Sequence, residues 1–246
     1  MIYTLNHISR IFFLLLTPAF FQFLALGFLW HSIYWGVTTL VLLLWICLLL
    51  VTPVFGRIGC GWFCFMGTLN DLAGQVSVIK NKWKKPLLWL RIIVSAGFFS
   101  SAFTFFAVNL NKGITHNFAF IPFFLKPEFS MHYKIFWVMD FSLGLLSGLL
   151  LEKRWLCKNA CFMGFLFSLA SKISILLPVI DPNKCTGCGM CESSCPVGIP
   201  LIGYIENENG LLTNTECIRC GKCIKVCRQD AIRFKFIINR NKFKEV

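Results

Sequence analysis

CTGCGMCESSCP, at residues 185–196, and CIRCGKCIKVCR, at residues 217–228, together hold eight of the thirteen cysteines of this 246-residue chain. Each run has the spacing C-x2-C-x2-C-x3-C, in which three thiolates surround one iron-sulfur cube while the fourth reaches a second cube. A zinc ribbon needs only two C-x2-C pairs and leaves the third and fourth cysteines of each run without a role. The spacing therefore predicts two [4Fe-4S] clusters.

The ligands of the two predicted clusters follow from crossed ligation, in which the last cysteine of each run serves the cube of the other run. The predicted ligands of cluster 1 are Cys185, Cys188, Cys191 and Cys227. Those of cluster 2 are Cys217, Cys220, Cys223 and Cys195. We expect an α+β, ferredoxin-like domain at residues 181–246, with strands near residues 213–215 and 232–236. A domain of about 65 residues buries little surface, so the clusters are expected to hold it together.

The rest of the chain is strongly apolar. Hydrophobic residues make up 57% of the sequence, phenylalanine occurs 27 times, and the mean hydropathy is +0.69. A helix of about 20 apolar residues is long enough to cross the hydrocarbon core of a bilayer. Four stretches reach about that length: residues 11–30, 34–55, 87–110 and 133–151. The first lacks a small-residue cleavage site, so we expect a retained anchor rather than a signal peptide.

The net charge of +13 indicates membrane topology rather than a nucleic-acid partner, because most of it lies outside the C-terminal domain. Basic residues concentrate in the loop at residues 56–86 and after the fourth stretch, whereas the loop at 111–132 has few. The positive-inside rule places the N-terminus and the ferredoxin-like domain in the cytoplasm, where cysteines stay reduced. Residues 162–180 are not expected to cross, because Lys172 interrupts them. The sequence predicts a multi-pass protein of the bacterial inner membrane.

A second informative pattern is an internal repeat. The sequence RIGCGWFCFMGTLNDLA, from Arg57, matches RWLCKNACFMGFLFSLA, from Arg154, at 9 of 17 positions. Each copy follows a pair of predicted spans, so the membrane domain, residues 1–180, is expected to consist of two helical hairpins in parallel repeat. The fold class is then mainly α, and both C-x3-C motifs lie at the cytoplasmic face. The residues after each motif, 68–79 and 165–177, are expected to be helical and to lie along that interface.

The two C-x3-C motifs supply four further cysteines: Cys60, Cys64, Cys157 and Cys161. Cysteines at positions i and i+4 share one face of a helix, about 5–6 Å apart, so each motif is expected to present two sulfur atoms in one direction. An additional redox or metal site shared by all four is one interpretation. Packing at helix contacts is another. A reversible disulfide within each pair is the third, which a reducing cytoplasm disfavours.

Arg57, Trp62, Arg154 and Trp155 flank the same motifs. Cationic donors beside an apolar aromatic wall suit a quinone headgroup, so these residues are a candidate quinone vicinity. Aromatic side chains also collect at membrane interfaces without any ligand. Asp71 and Glu152 are expected at the cytoplasmic rim, exposed to solvent. No glycine-rich nucleotide-binding motif occurs, and no catalytic residue is assigned.

GRIGCGWFCFMG, at residues 56–67, and RWLCKNACFMG, at 154–164, followed by the double cysteine run, resemble the NapH/MauN family of ferredoxin-type membrane proteins. The resemblance covers nearly the whole chain. It implies a partner of periplasmic reductases or dehydrogenases that oxidises quinol and passes electrons onward. The implied partners are the membrane, the quinone pool and other iron-sulfur or reductase subunits. The chain departs from the family at Phe65 and Phe162, where proline usually follows the second cysteine.

The function favoured by the sequence is electron transfer from the quinol pool through the two clusters toward a periplasmic reductase or dehydrogenase. In that role the chain is an electron-transfer subunit of a quinol dehydrogenase. A redox maturation factor, which supplies electrons for metal-centre assembly in a partner enzyme, is an alternative. In a further alternative the membrane domain is only a scaffold for the ferredoxin-like domain.

Overall fold

The structure is a computed structural model that describes residues 2–15, 37–77, 85–111, 117–119 and 127–240. The described chain is mainly helical, as predicted. Helices of its N-terminal part are α1 (Ile2–Leu15), α2 (Leu40–Phe55), α3 (Ile58–Trp62), α4 (Phe65–Val76), α5 (Leu88–Asn111), α6 (Pro127–Leu150), α7 (Trp155–Asn159) and α8 (Phe162–Ala170). A short parallel pairing joins β1 (Val37–Thr39) to β2 (Asn117–Ala119).

The C-terminal lobe is built on an antiparallel pair, β3 (Leu176–Ile180) and β4 (Ile232–Phe236). Between these strands lie the short helices α9 (Met190–Ser194), α10 (Gly203–Glu208) and α11 (Lys222–Val226). The predicted strand at 232–236 is confirmed. Residues 213–215 form no strand, and an isolated bridge joins Leu211 to Val179 instead. The paired sheet begins before the boundary predicted at residue 181, because β3 is hydrogen-bonded to β4 along its whole length.

One helix among the described residues is long and apolar enough to cross a membrane. This is α5, with 24 residues, and it coincides with the third predicted span. Shorter apolar stretches at Leu43–Phe55 and Val138–Leu150 lie in the second and fourth predicted spans. The first predicted span lies mostly outside the described residues. Residues 162–180 are not a span, as expected, since they divide into α8, a 3-10 turn and β3.

In each repeat, the helix that follows the C-x3-C motif packs against a helix of the other repeat. Helix α4, which follows the first C-x3-C motif, lies along α6 of the second hairpin, whereas α8, which follows the second motif, packs against α2 and α5. The α4–α6 contact is close because Gly148 has no side chain: a Cβ there would lie 2.7 Å from the carbonyl oxygen of Asn70. The Asn70 amide donates to the hydroxyl of Ser147 at 2.6 Å, which fixes the register of the two helices.

Candidate iron-sulfur sites and the interface between the repeats

The eight cysteines of the C-terminal lobe line two separate cavities. The first, of about 650 Å³ including its opening to solvent, is lined by Cys185, Cys188, Cys191 and Cys227. The second, of about 400 Å³ measured in the same way, is lined by Cys195, Cys217, Cys220 and Cys223. Each cavity thus receives three thiols from one sequence run and the fourth from the other. This is the grouping that crossed ligation requires.

The backbone of both runs turns at equivalent glycines. Gly189 and Gly221 follow the second cysteine of their runs and have φ angles of 72° and 74°. A residue with a Cβ adopts this left-handed conformation only at a cost of about 1–2 kcal/mol. The turn starts α9 and α11, so the third cysteine of each run enters its cavity from a helix. At the end of the second run, the backbone N–H of Ala231 donates to the sulfur of Cys227 at 3.4 Å.

The two cavities differ in their exposure. Cys188, in the first, is exposed to solvent. The second is lined mainly by apolar side chains and lies against the helical part of the chain. Helix α3 contacts its loop directly, because a Cβ on Gly61 would overlap the carbonyl oxygen of Ile218. The indole N–H of Trp62 donates to the carbonyl oxygen of Arg219 at 3.1 Å, so the first C-x3-C motif is joined to the loop of the second cavity.

Each C-x3-C motif spans a break between two helices. The prediction that its cysteines share one face of a continuous helix is therefore wrong. Cys60 lies in α3, whereas Cys64 has an extended backbone and is the N-cap of α4. Likewise Cys157 lies in α7, and Cys161 is the N-cap of α8, where its sulfur accepts the N–H of Gly164 at 3.3 Å. At Cys161 the sulfur satisfies one of the orphan N–H groups of the new helix, whereas Cys64 makes no side-chain capping bond.

This helix break explains how phenylalanine replaces the usual proline. Phe65 and Phe162 are the first residues of α4 and α8. Proline is common at that position because the backbone N–H there has no acceptor within the helix, and for the same reason other residues are tolerated. Both rings are buried, and Phe162 stacks on Phe98 with 3.7 Å between ring centroids. The substitution keeps the capping geometry and adds packing.

The four thiols of the two motifs lie close enough to influence one another. Burial raises the pKa of Cys161 to about 12, and Cys157 and Cys60 add to the shift. Burial also raises the pKa of Cys64, with contributions from the other three thiols. Cys161 and Cys64 therefore favour the neutral thiol, and a bound cation would displace their protons. Within the described residues, no three His, Cys, Asp or Glu side chains converge closely enough to hold a single metal ion.

The matched arginines of the repeats each reach into the other repeat. Arg154 donates to both carboxylate oxygens of Asp71, at 2.8 and 2.7 Å, and its guanidinium occupies the space that a side chain on Gly67 would need. Reciprocally, a Cβ on Gly164, which is the repeat equivalent of Gly67, would lie 3.2 Å from Nη2 of Arg57. Each repeat therefore places one arginine side chain against a glycine of the other repeat.

The carboxylate partner of Arg57 comes from the C-terminal lobe. In the second repeat the position that matches Asp71 is Ser168, which carries no charge. Glu216 supplies the missing charge: its oxygens accept hydrogen bonds from Arg57 at 2.6 Å and from Arg91 at 2.8 Å. The hydroxyl of Ser168 donates to the same carboxylate at 2.9 Å. Since Glu216 directly precedes the second cysteine run, this contact anchors that run to the helices.

Both carboxylates are buried and ionised. Burial alone would raise the pKa of Asp71, but the charges and hydrogen bonds of Arg154 and Arg10 outweigh it and hold the pKa below its ordinary value. Arg57 and Arg91 have the same effect on the pKa of Glu216. These pairs lie in a region of low polarity, where an unpaired charge is costly.

The expectation that Asp71 and Glu152 are solvated is wrong. They are 9% and 6% exposed, and Glu152 accepts from Lys158 at 3.3 Å. Asp71 is buried where Arg154 of the other repeat binds it, whereas the basic partner of Glu152, Lys158, belongs to the same repeat.

The two arginines of the candidate quinone vicinity lie near the four thiols. Both are buried in ion pairs. Trp62 binds the loop of the second cavity, and Trp155 is partly buried. Sequence reasoning missed the role of Glu216. The signal that pointed to it was the repeat itself, because one copy has an aspartate where the other has a serine.

Comparison with known proteins supports iron-sulfur clusters in this chain. A family model described as a 4Fe-4S dicluster domain matches residues 177–241, and one described as a 4Fe-4S binding domain matches residues 37–86. The ferredoxin-type protein NapH of Haemophilus influenzae is 33% identical over 94 residues, which are 36% of this chain and 32% of NapH. The chain is a ferredoxin-type iron-sulfur protein similar to NapH.

Other relatives extend the similarity over most of this ferredoxin-type protein. An uncharacterised protein of Methanocaldococcus jannaschii is 27% identical over 190 residues, 77% of this chain and 68% of that protein. The putative electron transport protein YccM of Escherichia coli is 22% identical over 205 residues, 78% of this chain and 54% of YccM. The chain thus spans about half the length of YccM and a third of NapH. No solved structure matches it.

Proposed function

We propose that the protein carries electrons from a membrane quinol pool to a partner protein through two [4Fe-4S] clusters in its C-terminal lobe. The observation that carries this proposal is the pair of cavities, each lined by four cysteines grouped as crossed ligation requires. A bound cluster supplies one-electron transfer at each site. Cluster 1 would be held by Cys185, Cys188, Cys191 and Cys227. Cluster 2 would be held by Cys217, Cys220, Cys223 and Cys195.

The different exposure of the two sites supports a direction of flow. The second cavity lies against the helices, so it is suited to receive electrons from a donor in the membrane. The first cavity has Cys188 at the surface, so it is suited to pass electrons to a docked protein. Electrons would then enter at the second site and leave at the first. Because the lobe is placed in the cytoplasm, a redox partner that spans the membrane would carry the electrons on to a periplasmic reductase or dehydrogenase system, the proposed destination.

We place the helical part in the bacterial inner membrane with four spans, and the N-terminus and lobe in the cytoplasm. The length of α5 and the apolar stretches in α2 and α6 support this placement, as does the distribution of basic residues. Many apolar side chains of α5 are exposed, among them Ile93 and Phe103 at 60% and 73%. Protease treatment tests it: the lobe should be cleaved in inside-out vesicles and protected in right-side-out ones.

A third redox centre, held by Cys60, Cys64, Cys157 and Cys161, extends the proposal. Cys60 is buried and the other three cysteines are partly buried. Their thiols lie close together, and Arg57 and Arg154 lie near enough to compensate negative charge there. Helices α4 and α8 both begin at these thiols, and helix N-termini favour anions. The 4Fe-4S binding family model at residues 37–86 includes the first motif. A cluster fits better than a single ion, because its ligands bind different metal atoms and stand farther apart.

Iron and acid-labile sulfide per chain, measured on anaerobically purified protein, test these centres. About eight irons are expected for two cubes, and more if the third centre is present. A Cys60→Ser, Cys157→Ser double variant should then lose only the excess iron, whereas Cys47→Ser, at an exposed position, should lose none. Unchanged iron and unchanged electron transfer in the double variant would reject the third centre. Clusters that a menaquinol analogue does not reduce would reject the quinol donor and favour the maturation or scaffold function.

A further inference from the structure

A partly open cleft lies where α1 and α4 meet the loop of the second cluster site. Its volume is about 600 Å³ including the mouth, and its walls include Tyr3 and His7 from α1, Asp71 and Leu72 from α4, and Cys220 from the loop. Cys220 also lines the second cluster cavity. A molecule in the cleft therefore lies directly against a proposed cluster ligand.

Contacts between α1 and its neighbours form the cleft. Asn6 donates to the carbonyl oxygen of Gly61 at 3.0 Å, and Ser9 donates to that of Trp62 at 3.2 Å. On the other side, Nζ of Lys225 lies 4.6 Å from the centre of the Tyr3 ring. Helix α1 is thus attached both to the first C-x3-C motif and to the C-terminal lobe, which leaves the cleft between them.

The polar groups of the cleft suit a molecule that releases protons together with electrons. Asp71 is ionised and held by Arg10 at 2.6 Å, so it accepts a hydrogen bond from a hydroxyl but not a proton. The imidazole of His7 also lines the cleft, and histidine is the side chain that most often takes up a proton in catalysis. The hydroxyl of Tyr3 adds a group that both donates and accepts.

Both helices that line the cleft carry exposed apolar side chains. Leu72 and Val76 of α4 are 42% and 77% exposed. On α1, Ile8 and Phe12 are 60% and 56% exposed. Exposed apolar side chains on two adjacent helices at the membrane surface offer a path for a hydrocarbon tail.

We propose that this cleft binds the headgroup of a quinol, with the isoprenoid tail along the exposed apolar faces of α1 and α4. This inference rests on the electron-transfer function proposed above and gives it a donor site. Oxidation of the quinol to the quinone releases two electrons and two protons. The electrons leave one at a time past Cys220, and the two one-electron clusters together take both. One proton passes to His7 and the other to water at the open mouth.

An anionic ligand is the competing occupant, because Arg10, Lys153 and Lys222 also line the cleft. Arg10 is already engaged, however, by Asp71 and by the hydroxyl of Thr68 at 3.3 Å. A cluster held by four thiolates carries net negative charge and would repel an anion placed against Cys220. A neutral quinol is not repelled in this way.

The repeat provides a matched pair of variants for the test. Leu72 lines the cleft, whereas Leu169, its repeat equivalent, has nearly the same exposure, 44% against 42%, and lies outside it. Leu72→Trp should fill the cleft, and Leu169→Trp should not. Full-length protein with its clusters is treated with a photoreactive azidoquinone, with unlabelled menadione as competitor, and the labelled peptides are mapped. In parallel, menadiol is mixed with oxidised protein and cluster bleaching is followed.

We expect labelling within residues 2–15 or 65–76 in wild type and in Leu169→Trp, and at least a tenfold loss in Leu72→Trp. The rate of bleaching by menadiol should fall in parallel, while iron content and reduction by dithionite stay unchanged. His7→Gln should keep the label but slow bleaching by about a hundredfold, the usual scale of lost proton transfer.

Two results would separate failure of this site from failure of the proposed function. If menadiol bleaches all variants at the same rate and the label lies elsewhere, the cleft is not the quinol site, but quinol oxidation by the protein still stands. Menadiol that bleaches no variant, including wild type, overturns quinol oxidation. In that case the labelling arm still decides whether the cleft binds a quinone. Displacement of the label by inorganic phosphate but not by menadione would show that the cleft is an anion site and overturn the inference.

Discussion

The guanidinium of Arg154, in the second repeat, binds both carboxylate oxygens of Asp71, in the first, at 2.8 and 2.7 Å. Arg57 extends toward the second repeat in the same way, but the carboxylate that binds it, that of Glu216, belongs to the C-terminal lobe. The lobe therefore completes a pseudo-symmetric pattern that the repeats alone leave unfinished. Packing of the helices and docking of the second cysteine run depend on the same kind of buried ion pair.

The Asp71→Asn variant should be strongly destabilised. Removing the carboxylate leaves Arg154 buried and unpaired, which costs about 3–5 kcal/mol. Asp181→Asn is the control, since Asp181 and Lys184 form an exposed pair at 4.0 Å, and such pairs contribute about 1 kcal/mol or less. The free energy of unfolding in detergent measures both. Equal losses of unfolding free energy in the two variants would show that the buried ion pair contributes no more to stability than the exposed one.

The Glu216→Gln variant should loosen the lobe from the helices. Arg57 and Arg91 both lose their charged partner, and the loop that begins the second cysteine run loses its anchor. Limited proteolysis should release the C-terminal lobe at least tenfold faster than in wild type. Glu206→Gln, at an exposed position of α10, should digest at the wild-type rate. Unchanged release in Glu216→Gln would mean that other contacts fix the lobe.

Much of the fold could be predicted because spacing and hydropathy act locally. The third predicted span and α5 (Leu88–Asn111) nearly coincide, and the strand at 232–236 is where the sequence placed it. The helix break inside each C-x3-C motif was missed, because cysteine is not among the usual N-cap residues and the apolar pattern continues across the break. The role of Glu216 was also missed, since the repeat shows only that Ser168 lacks the charge of Asp71 and not which distant carboxylate supplies it.

Crossed ligation predicts which thiols are released when one ligand is lost. In Cys227→Ser, the thiols of Cys185, Cys188 and Cys191 should become alkylated under anaerobic conditions, while those of the second run stay protected. In Cys195→Ser the pattern should reverse. Mass spectrometry of iodoacetamide-treated protein reads out each cysteine, and Cys47→Ser serves as the control for a substitution outside both cavities. If Cys227→Ser instead released Cys217, Cys220 and Cys223, each run would hold its own cluster.

Gly61 tests whether contact between α3 and the second cluster loop matters for electron entry. A Cβ at this position overlaps the carbonyl oxygen of Ile218, and because that atom is backbone, α3 and the loop must separate. Gly61→Ala should cost about 1–3 kcal/mol, the usual range for overpacking, and should slow cluster reduction by menadiol. Gly97→Ala is the control: a Cβ there meets nothing within 4 Å, and alanine favours a helix over glycine by about 1 kcal/mol. Equal stability and equal reduction rates in the two variants would mean that the loop tolerates separation from α3, and the route of electrons into the second site would not depend on this contact.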